Sequence, residues 1–330
     1  MKLAVLGAGA WGTALAATLA PRHEVLLWAR LDSTAQALAA SRRNSRYLPE
    51  IELPPQLLFT SDLSAAVAHA HGGLLLIATP TAALRGLLRQ LHSRAPLPPF
   101  VWLCKGLEQG SAAMAHEIVA DELGGHAAGP LSGPSFAQEV ARRLPTALVV
   151  AGDDRLCRLV TEALHDPTLR IYSTDDVIGV EVGGAVKNVL AIATGICDAL
   201  ALGHNARAAL ITRGLAEIGR FGTALGARPS TFMGLAGVGD LILTCTGELS
   251  RNRQIGLLLG RGEPLAPALE RIGHVAEGVW SAPAVAGRAA ALGVQMPIVE
   301  AVCAVLDGTA SPRQALERLL ERDPKREATA

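Results

Sequence analysis

The stretch LAVLGAGAWGTALAATLA, residues 3–20, decides the fold, and it has two incompatible readings. Lys2 precedes it and small residues follow, so an apolar run of this length fits a secretory leader that is removed before the protein works. It also fits the strand, turn and helix that open a nucleotide-binding fold. In that second reading Leu3–Leu6 is the strand, Gly7, Gly9 and Gly12 have the spacing G-x-G-x-x-G, and the Ala/Leu run that follows has good helix propensity. Each glycine has a task. The first permits a tight turn, the second lets a pyrophosphate approach the backbone, and the third lets helix and strand pack closely. The helix N-terminus then offers unpaired N–H groups and partial positive charge to the anion. The apolar core of a leader has no need of that spacing.

The neighbouring segments favour the nucleotide fold. HEVLLWARLD (23–32) is a second apolar strand at the distance a βαβ unit requires, and GGLLLIATP (72–80) and FVWLCKG (100–106) read as further buried strands ending in turns. Strand patterns continue through TALVVAG (146–152) and LRIYST (169–174) and then stop. Helical patterns follow at 179–201, 205–226, 252–260, 278–292 and 297–306. A length of 330 residues, at roughly 150 per domain, points to two units. The expectation is an α/β protein: a Rossmann-type, doubly wound sheet over 1–178 and an all-α C-terminal domain over 179–330. The run Val189–Gly203 is short for a membrane span and contains Asp198, so it reads as a buried helix. ERDPKREATA (321–330) is charged and is expected to fray.

Composition excludes several functions. Thirty basic residues balance thirty acidic ones, leaving no overall field to hold nucleic acid or an anionic membrane. The cysteines at 104, 157, 197, 245 and 303 lie far apart without a C-x-x-C, which argues against a zinc knuckle or disulfide framework and fits a reducing cytoplasm. The nine histidines, His23, His204 and His274 among them, show no ligand spacing, and no metal is expected. The carboxylates of TDD (174–176) fit a helix N-terminus better than a glycosidase pair.

The form of the dinucleotide is left open. An acid ending the second strand favours a free ribose hydroxyl, whereas Arg30 suits a 2′-phosphate and Asp32 follows two residues later. The other reading of Arg30 is a solvated strand end.

Lysine is scarce. Only Lys2, Lys105, Lys187 and Lys325 are lysine among thirty basic residues, and the first and last are near the chain ends. Where positive surface charge suffices, this chain uses arginine. Arginine keeps its proton near neutrality, but an ammonium gives one up when burial or a neighbouring cation lowers its pKa. A proton-transferring site therefore needs lysine. Lys105 ends a strand, at the edge where open α/β sheets bind ligands. Lys187 lies in GGAVKNVLAIATG, a helical pattern with small residues that let a backbone or ligand approach. The alternative for Lys187 is a side chain reaching out to solvent.

With these residues in place the chain resembles the bacterial NAD(P)-dependent glycerol-3-phosphate dehydrogenases from about residue 3 to about 320. The resemblance rests on GAGAWGTALA (7–16), NSRYLP (44–49), CKGLE (104–108), LSGPSFAQEVARRLPTA (131–147), GGAVKNVLAIATG (183–195), NARAALITRGLAE (205–217), GLAGVGDLILTCTGELSRNRQIG (234–256) and HVAEG (274–278), in the family's order. It implies NADP or NAD as cofactor. It also implies reversible hydride transfer between dihydroxyacetone phosphate and sn-glycerol 3-phosphate, feeding phospholipid synthesis. Lys187 corresponds to the general base, and Lys105, Gly133, Ser135, Asp240, Ser250, Arg251 and Asn252 to substrate contacts. Gly7, Gly9, Trp11, Gly12, Arg30, Lys105, Ala137, Arg251, Val275 and Glu277 correspond to cofactor contacts. Ala276 replaces a bulkier aliphatic residue, and Ala10 and Trp11 sit where relatives vary.

Plainer readings stand beside several of these. Asp240 before an apolar run is also a helix-cap signal. Ser250–Asn252 alone would be a solvated loop, Gly133 could merely shape a turn, and Glu277 could be a solvated acid. A hydroxy-acid dehydrogenase of similar architecture would share the glycine turn and an active lysine, and a non-catalytic dinucleotide sensor would need the turn alone. A homodimer is expected from how common two-fold assembly is, and from no residue of this chain.

Overall fold

The computed structural model describes residues 1–94, 96–273 and 276–321. The strands are β1 (Lys2–Leu6), β2 (Glu24–Trp28), β3 (Arg43–Asn44), β4 (Leu48–Glu52), β5 (Leu58–Thr60), β6 (Leu74–Ile77), β7 (Phe100–Trp102), β8 (Ala128–Ser132), β9 (Thr146–Ala151) and β10 (Leu169–Thr174). Eight form one sheet in the order β10-β9-β8-β7-β6-β1-β2-β5, and β3 with β4 makes a separate antiparallel pair. Pairing is parallel from β5 to β8. Strand β9 meets β8 antiparallel and β10 lies parallel to β9, so the last two strands run against the rest.

Residues 3–6 thus form a central strand, and the segment that could have been a leader is part of the sheet. Its side chains alternate. Leu3 and Val5 enter a core with Leu15, Leu19, Val160 and Leu164, whereas Ala4 and Leu6 enter another with Val67, Leu84, Leu88 and Ile118. Burial on both faces explains why β1 reads as a continuous apolar run. Each fully buried leucine contributes about 1.5–3 kcal/mol. The helices that supply these partners are α1 (Ala10–Leu19), α2 (Asp32–Ser41), α3 (Leu63–His69), α4 (Thr81–His92), α5 (Ala115–Leu123), α6 (Ala137–Ala141) and α7 (Asp154–Leu164).

The helical half comprises α8 (Val177–Ala199), α9 (Gly203–Ala224), α10 (Pro229–Phe232), α11 (Asp240–Thr246), α12 (Arg251–Gly260), α13 (Leu265–Ile272), α14 (Glu277–Ala291), α15 (Pro297–Leu306) and α16 (Pro312–Leu320). Its axis is α8, which packs on α9, α11, α12 and α14 and also on β8 and β9. The small residues of α8 permit these approaches: a Cβ at Gly183 would lie 2.2 Å from the Ala236 carbonyl oxygen, and one at Gly195 2.1 Å from that of Arg253. By length and composition α8 could cross a membrane, but 83% of its apolar window is buried inside the protein. Asp176 of the TDD triplet caps α8, accepting from the Gly179 amide at 2.9 Å and the Arg228 amide at 3.0 Å. This is the helix N-terminus that the two acids suggested.

Observed elements missing from the pattern reading have physical reasons. Strand β8, AGPLS, carries Gly129 and Pro130, both strand breakers. The proline is accommodated because the ladder to β9 begins only at Leu131. Strand β5 has three residues, too few for a period. Helix α16 had a readable signal in Ser311-x-x-Gln314, a reciprocal capping box that the structure forms. The tail 322–330 lies outside the described residues.

Candidate active site

Strand β1 connects outward to β2 on one side, and β6 lies on its other side, so strand order reverses between β1 and β6. Open α/β sheets bind ligands above such a crevice. Gly7 follows β1 with φ +126°, and a Cβ there would stand 2.8 Å from the Ala78 carbonyl oxygen beyond β6. A Cβ at Gly12 would fall 2.0 Å from the Gly7 carbonyl oxygen, so a side chain would push α1 off the turn. Gly9, the N-cap of α1, supplies no side-chain cap and has open space on its Cβ side. The first-turn N–H groups therefore meet the crevice unserved by a side chain. Asn44, buried on β3, steadies the turn: its Nδ2 donates to the Ala8 carbonyl oxygen at 3.0 Å and to Thr13 Oγ1 at 2.8 Å. Nothing in NSRYLP (44–49) as a sequence marks this role.

A cleft of about 1500 Å³ runs from the glycine turn to the helical half. Gly7, Gly9, Trp11 and Arg30 line its sheet side, and Lys187, Asp240, Ser250, Arg251, Asn252 and Glu277 its helical side, with Lys105, Ser135 and Ala137 also on its wall. Gly12 and Gly133 are not wall residues. Gly12 serves packing, and Gly133 acts through its carbonyl oxygen, which accepts from Lys105 Nζ at 3.2 Å and from Ser135 Oγ at 3.1 Å. Val275 lies outside the described residues, as does His274.

At the helical end two ammonium groups share one carboxylate. Lys187 Nζ lies 2.5 Å from Asp240 Oδ1 and donates to Thr244 Oγ1 at 2.9 Å, while Lys105 Nζ lies 2.7 Å from Asp240 Oδ2. Lys187 is 6% exposed and Asp240 1%, so the solvent-reaching reading of Lys187 is corrected. Burial lowers the Lys187 pKa to about 8, the Asp240 charge opposes that shift, and the nearby Lys105 charge adds to it. Asp240 opens α11, but the N-cap is Gly239, and the Asp240 side chain serves the lysines rather than the helix amides. Its place in the first turn still suits a negative charge. Thr244, one turn along α11, was missed by the sequence reading. Its hydroxyl also donates to the Asp240 carbonyl oxygen, a common role for a helical threonine that marks nothing by residue type.

The three polar residues at 250–252 divide their work. Ser250 caps α12 through the Arg253 amide at 3.3 Å. Asn252 is buried, donating to Asn188 Oδ1 at 3.0 Å and accepting from the Gly278 amide at 3.0 Å, which ties α8, α12 and α14 together. Arg251 is exposed and has no hydrogen-bond or ion-pair partner among the described residues. Glu277, at the start of α14, is half-buried. Burial raises its carboxyl pKa, opposed first by the charge of Arg251 and then by Lys105. It is therefore not a freely solvated acid.

Residues 2–157 match the family model described as the N-terminus of NAD-dependent glycerol-3-phosphate dehydrogenase, and residues 176–317 match its C-terminus. The chain belongs to this family. Glycerol-3-phosphate dehydrogenase [NAD(P)+] of Methylibium petroleiphilum is 58% identical over 334 residues, covering 100% of this chain and 99% of the relative. The protein of that name from Paucimonas lemoignei is 58% identical over 332 residues, with 99% of each chain covered. Among solved structures, glycerol-3-phosphate dehydrogenase of Coxiella burnetii superposes with a TM-score of 0.93 at 42% identity, covering 97% of this chain and 98% of that one. The resemblance carried by the sequence motifs is thus a family relationship over nearly the whole length, in both the sheet and the helical half of the glycerol-3-phosphate dehydrogenase fold.

Proposed function

We propose that this chain interconverts dihydroxyacetone phosphate and sn-glycerol 3-phosphate with NAD(P), and that Lys187 carries the proton. The observation behind the second part is a buried amine, at a pKa of about 8, on the wall of a cleft that also holds the glycine turn. The open space at Gly9 and the first-turn N–H groups of α1 fit a pyrophosphate. A bound nicotinamide supplies or accepts the hydride at substrate C2.

The chain's own residues supply the rest. In the oxidative direction neutral Lys187 takes the C2 hydroxyl proton, and in reduction its ammonium form returns a proton to the carbonyl oxygen. Asp240 and Thr244 orient the amine. Lys105 favours the neutral form of Lys187 and adds positive charge near a developing alkoxide. Arg251, unpaired on the wall, meets an anionic ligand. Run reductively, the reaction makes sn-glycerol 3-phosphate for glycerophospholipid synthesis. All five cysteines are free thiols, in keeping with a reducing cytoplasm. Two-fold assembly is the finer expectation for the quaternary state, and light scattering after gel filtration should give twice the chain mass.

Purified protein mixed with NADPH or NADH and dihydroxyacetone phosphate should consume reduced nicotinamide. Turnover only with 2-oxo acids would overturn the reading in favour of a hydroxy-acid dehydrogenase, and binding without turnover would favour a sensor. The pH dependence has a defined sign. Oxidation needs the unprotonated amine, so its kcat/KM rises with pH to a plateau with a midpoint near the Lys187 pKa of about 8. Reduction needs the ammonium, and its kcat/KM falls through the same midpoint. Parallel slopes in the two directions would remove Lys187 from proton transfer.

Arg251→Ala should raise KM for dihydroxyacetone phosphate by about ten- to a hundredfold, because a charge-assisted contact contributes about 1.5–3 kcal/mol. Steady-state kinetics at saturating NADPH check this. An unchanged KM would take Arg251 out of substrate binding.

A further inference from the structure

We infer that Asp198 is a positioning residue for the substrate phosphate: from outside the cleft it clamps Arg253, and so fixes where the first turn of α12 presents Arg251 and Asn252. The inference rests on the reading that Arg251 meets the phosphate of dihydroxyacetone phosphate, and it names what holds Arg251 in place.

Helix α12 crosses α8 on glycine. A Cβ at Gly195 would lie 2.1 Å from the Arg253 carbonyl oxygen, one at Gly256 2.0 Å from that of Ile192, and one at Gly260 2.6 Å from Ala199 Cβ. At these points backbone meets backbone, with no side chain seated between neighbours to resist slip or rotation. The register of the crossing therefore falls to polar ties. On the cleft side Asn252 bonds Asn188 and the Gly278 amide, each at 3.0 Å. These are neutral bonds, roughly half as strong as charge-assisted ones.

The charged tie lies on the far side of the crossing. Asp198 stands about three turns beyond Lys187 on α8, roughly 16 Å along the axis, and neither it nor Arg253 is on the cleft wall. Arg253 donates from Nε at 3.0 Å and from Nη2 at 2.6 Å to Asp198 Oδ2. From α9, Arg207 Nη1 lies 3.2 Å from each Asp198 oxygen, and its Nη2 donates to His204 Nδ1 at 2.9 Å. Arg207 belongs to NARAALITRGLAE (205–217), a stretch with no residue on the cleft wall. The Asp198 and Arg253 side chains are 15% and 14% exposed, so solvent screens this pair less than a surface one.

One carboxylate thus joins α8, α9 and α12, and the arginine it grips is two residues from Arg251. Successive helical residues are about 100° apart, so Arg253 points away from the cleft while Arg251 lines it. A turn of α12 that breaks the first contact displaces the second.

Asp198→Asn removes the charge and leaves two guanidinium groups around a neutral amide. KM for dihydroxyacetone phosphate at saturating NADPH should rise about three- to tenfold, less than with Arg251→Ala because the contact is misplaced rather than deleted. Asp198→Glu should recover part of the loss. Arg253→Met keeps the apolar stem and should reproduce the rise, which covers the case of an asparagine variant that folds poorly. The kcat and the midpoint of the oxidative pH profile at about 8 should hold, since Lys187 keeps Asp240 and Thr244. A double-mutant cycle is decisive: in an Arg251→Ala background, Asp198→Asn should add nothing to KM. A lowered Tm with KM unchanged, or a rise in KM that persists in full without Arg251, would overturn the inference and leave the proposed function standing. Absence of turnover by the native protein would count against both.

Discussion

Lys187→Arg should lower kcat by about 10²–10⁴-fold in both directions, the range that a positioned acid–base group contributes. The substitution keeps the positive charge beside Asp240 and removes the ability to lose it. Lys187 is buried with its nitrogen fixed by Asp240 and Thr244, so an arginine in its place meets the same two partners without a proton to give up. The glycine turn lies on the opposite wall of the cleft, so dinucleotide affinity should be kept. Stopped assays in both directions, with calorimetric NADPH binding and a thermal melt as controls, separate a chemical defect from a folding one. Retained turnover in a folded variant would mean that the proton moves elsewhere.

The second large effect is on stability as well as rate. Asp240→Asn leaves two ammonium groups 2.5 and 2.7 Å from a neutral amide, and removing one partner of a buried ion pair costs about 3–5 kcal/mol. The Asp240 charge also raises the Lys187 pKa against burial, so its loss moves the midpoint of the oxidative pH profile below about 8. The sign of the stability effect with pH follows from the same shift. The folded-state pKa of Lys187 lies below the ordinary 10.5, so between the two values the unfolded chain binds more protons and stability rises with pH. In the variant that rise begins at lower pH, because its Lys187 pKa lies below about 8, so the deficit in Tm relative to the native protein should shrink as pH rises towards about 8 and stay level above it. A deficit that is flat with pH would show that uncompensated charge is not its cause.

Much of this site was legible before any coordinates. The glycine spacing located the turn because only a residue without Cβ fits beneath Ala78 and over Gly7. The scarcity of lysine pointed to Lys105 and Lys187, and the fold brings both onto Asp240 from opposite halves. Strands β1, β2, β6, β7, β9 and β10 stood out because buried runs of β-branched and aliphatic residues leave a clear pattern. Other features leave none. Strand direction is not encoded in hydrophobic spacing, which hid the reversal at β9 and β10. Asn44, Thr244 and Asn188 act through hydrogen bonds to residues far along the chain or to the backbone, and an amide or hydroxyl has no local signature for that. Ser250 and Asn252 look alike in sequence to any polar loop, and only the cap and the three-helix tie show how they differ from Arg251.

The sharing of one carboxylate by lysines from both halves limits how this protein can be recombined. A chimaera that joined this sheet to a foreign helical partner lacking an acid at the position of Asp240 would bury Lys105 with no counter-ion. The reverse graft would strip Asp240 of one of its two cations and leave Lys187 more readily protonated. Transplanting either piece therefore means carrying the seam residues across as a set.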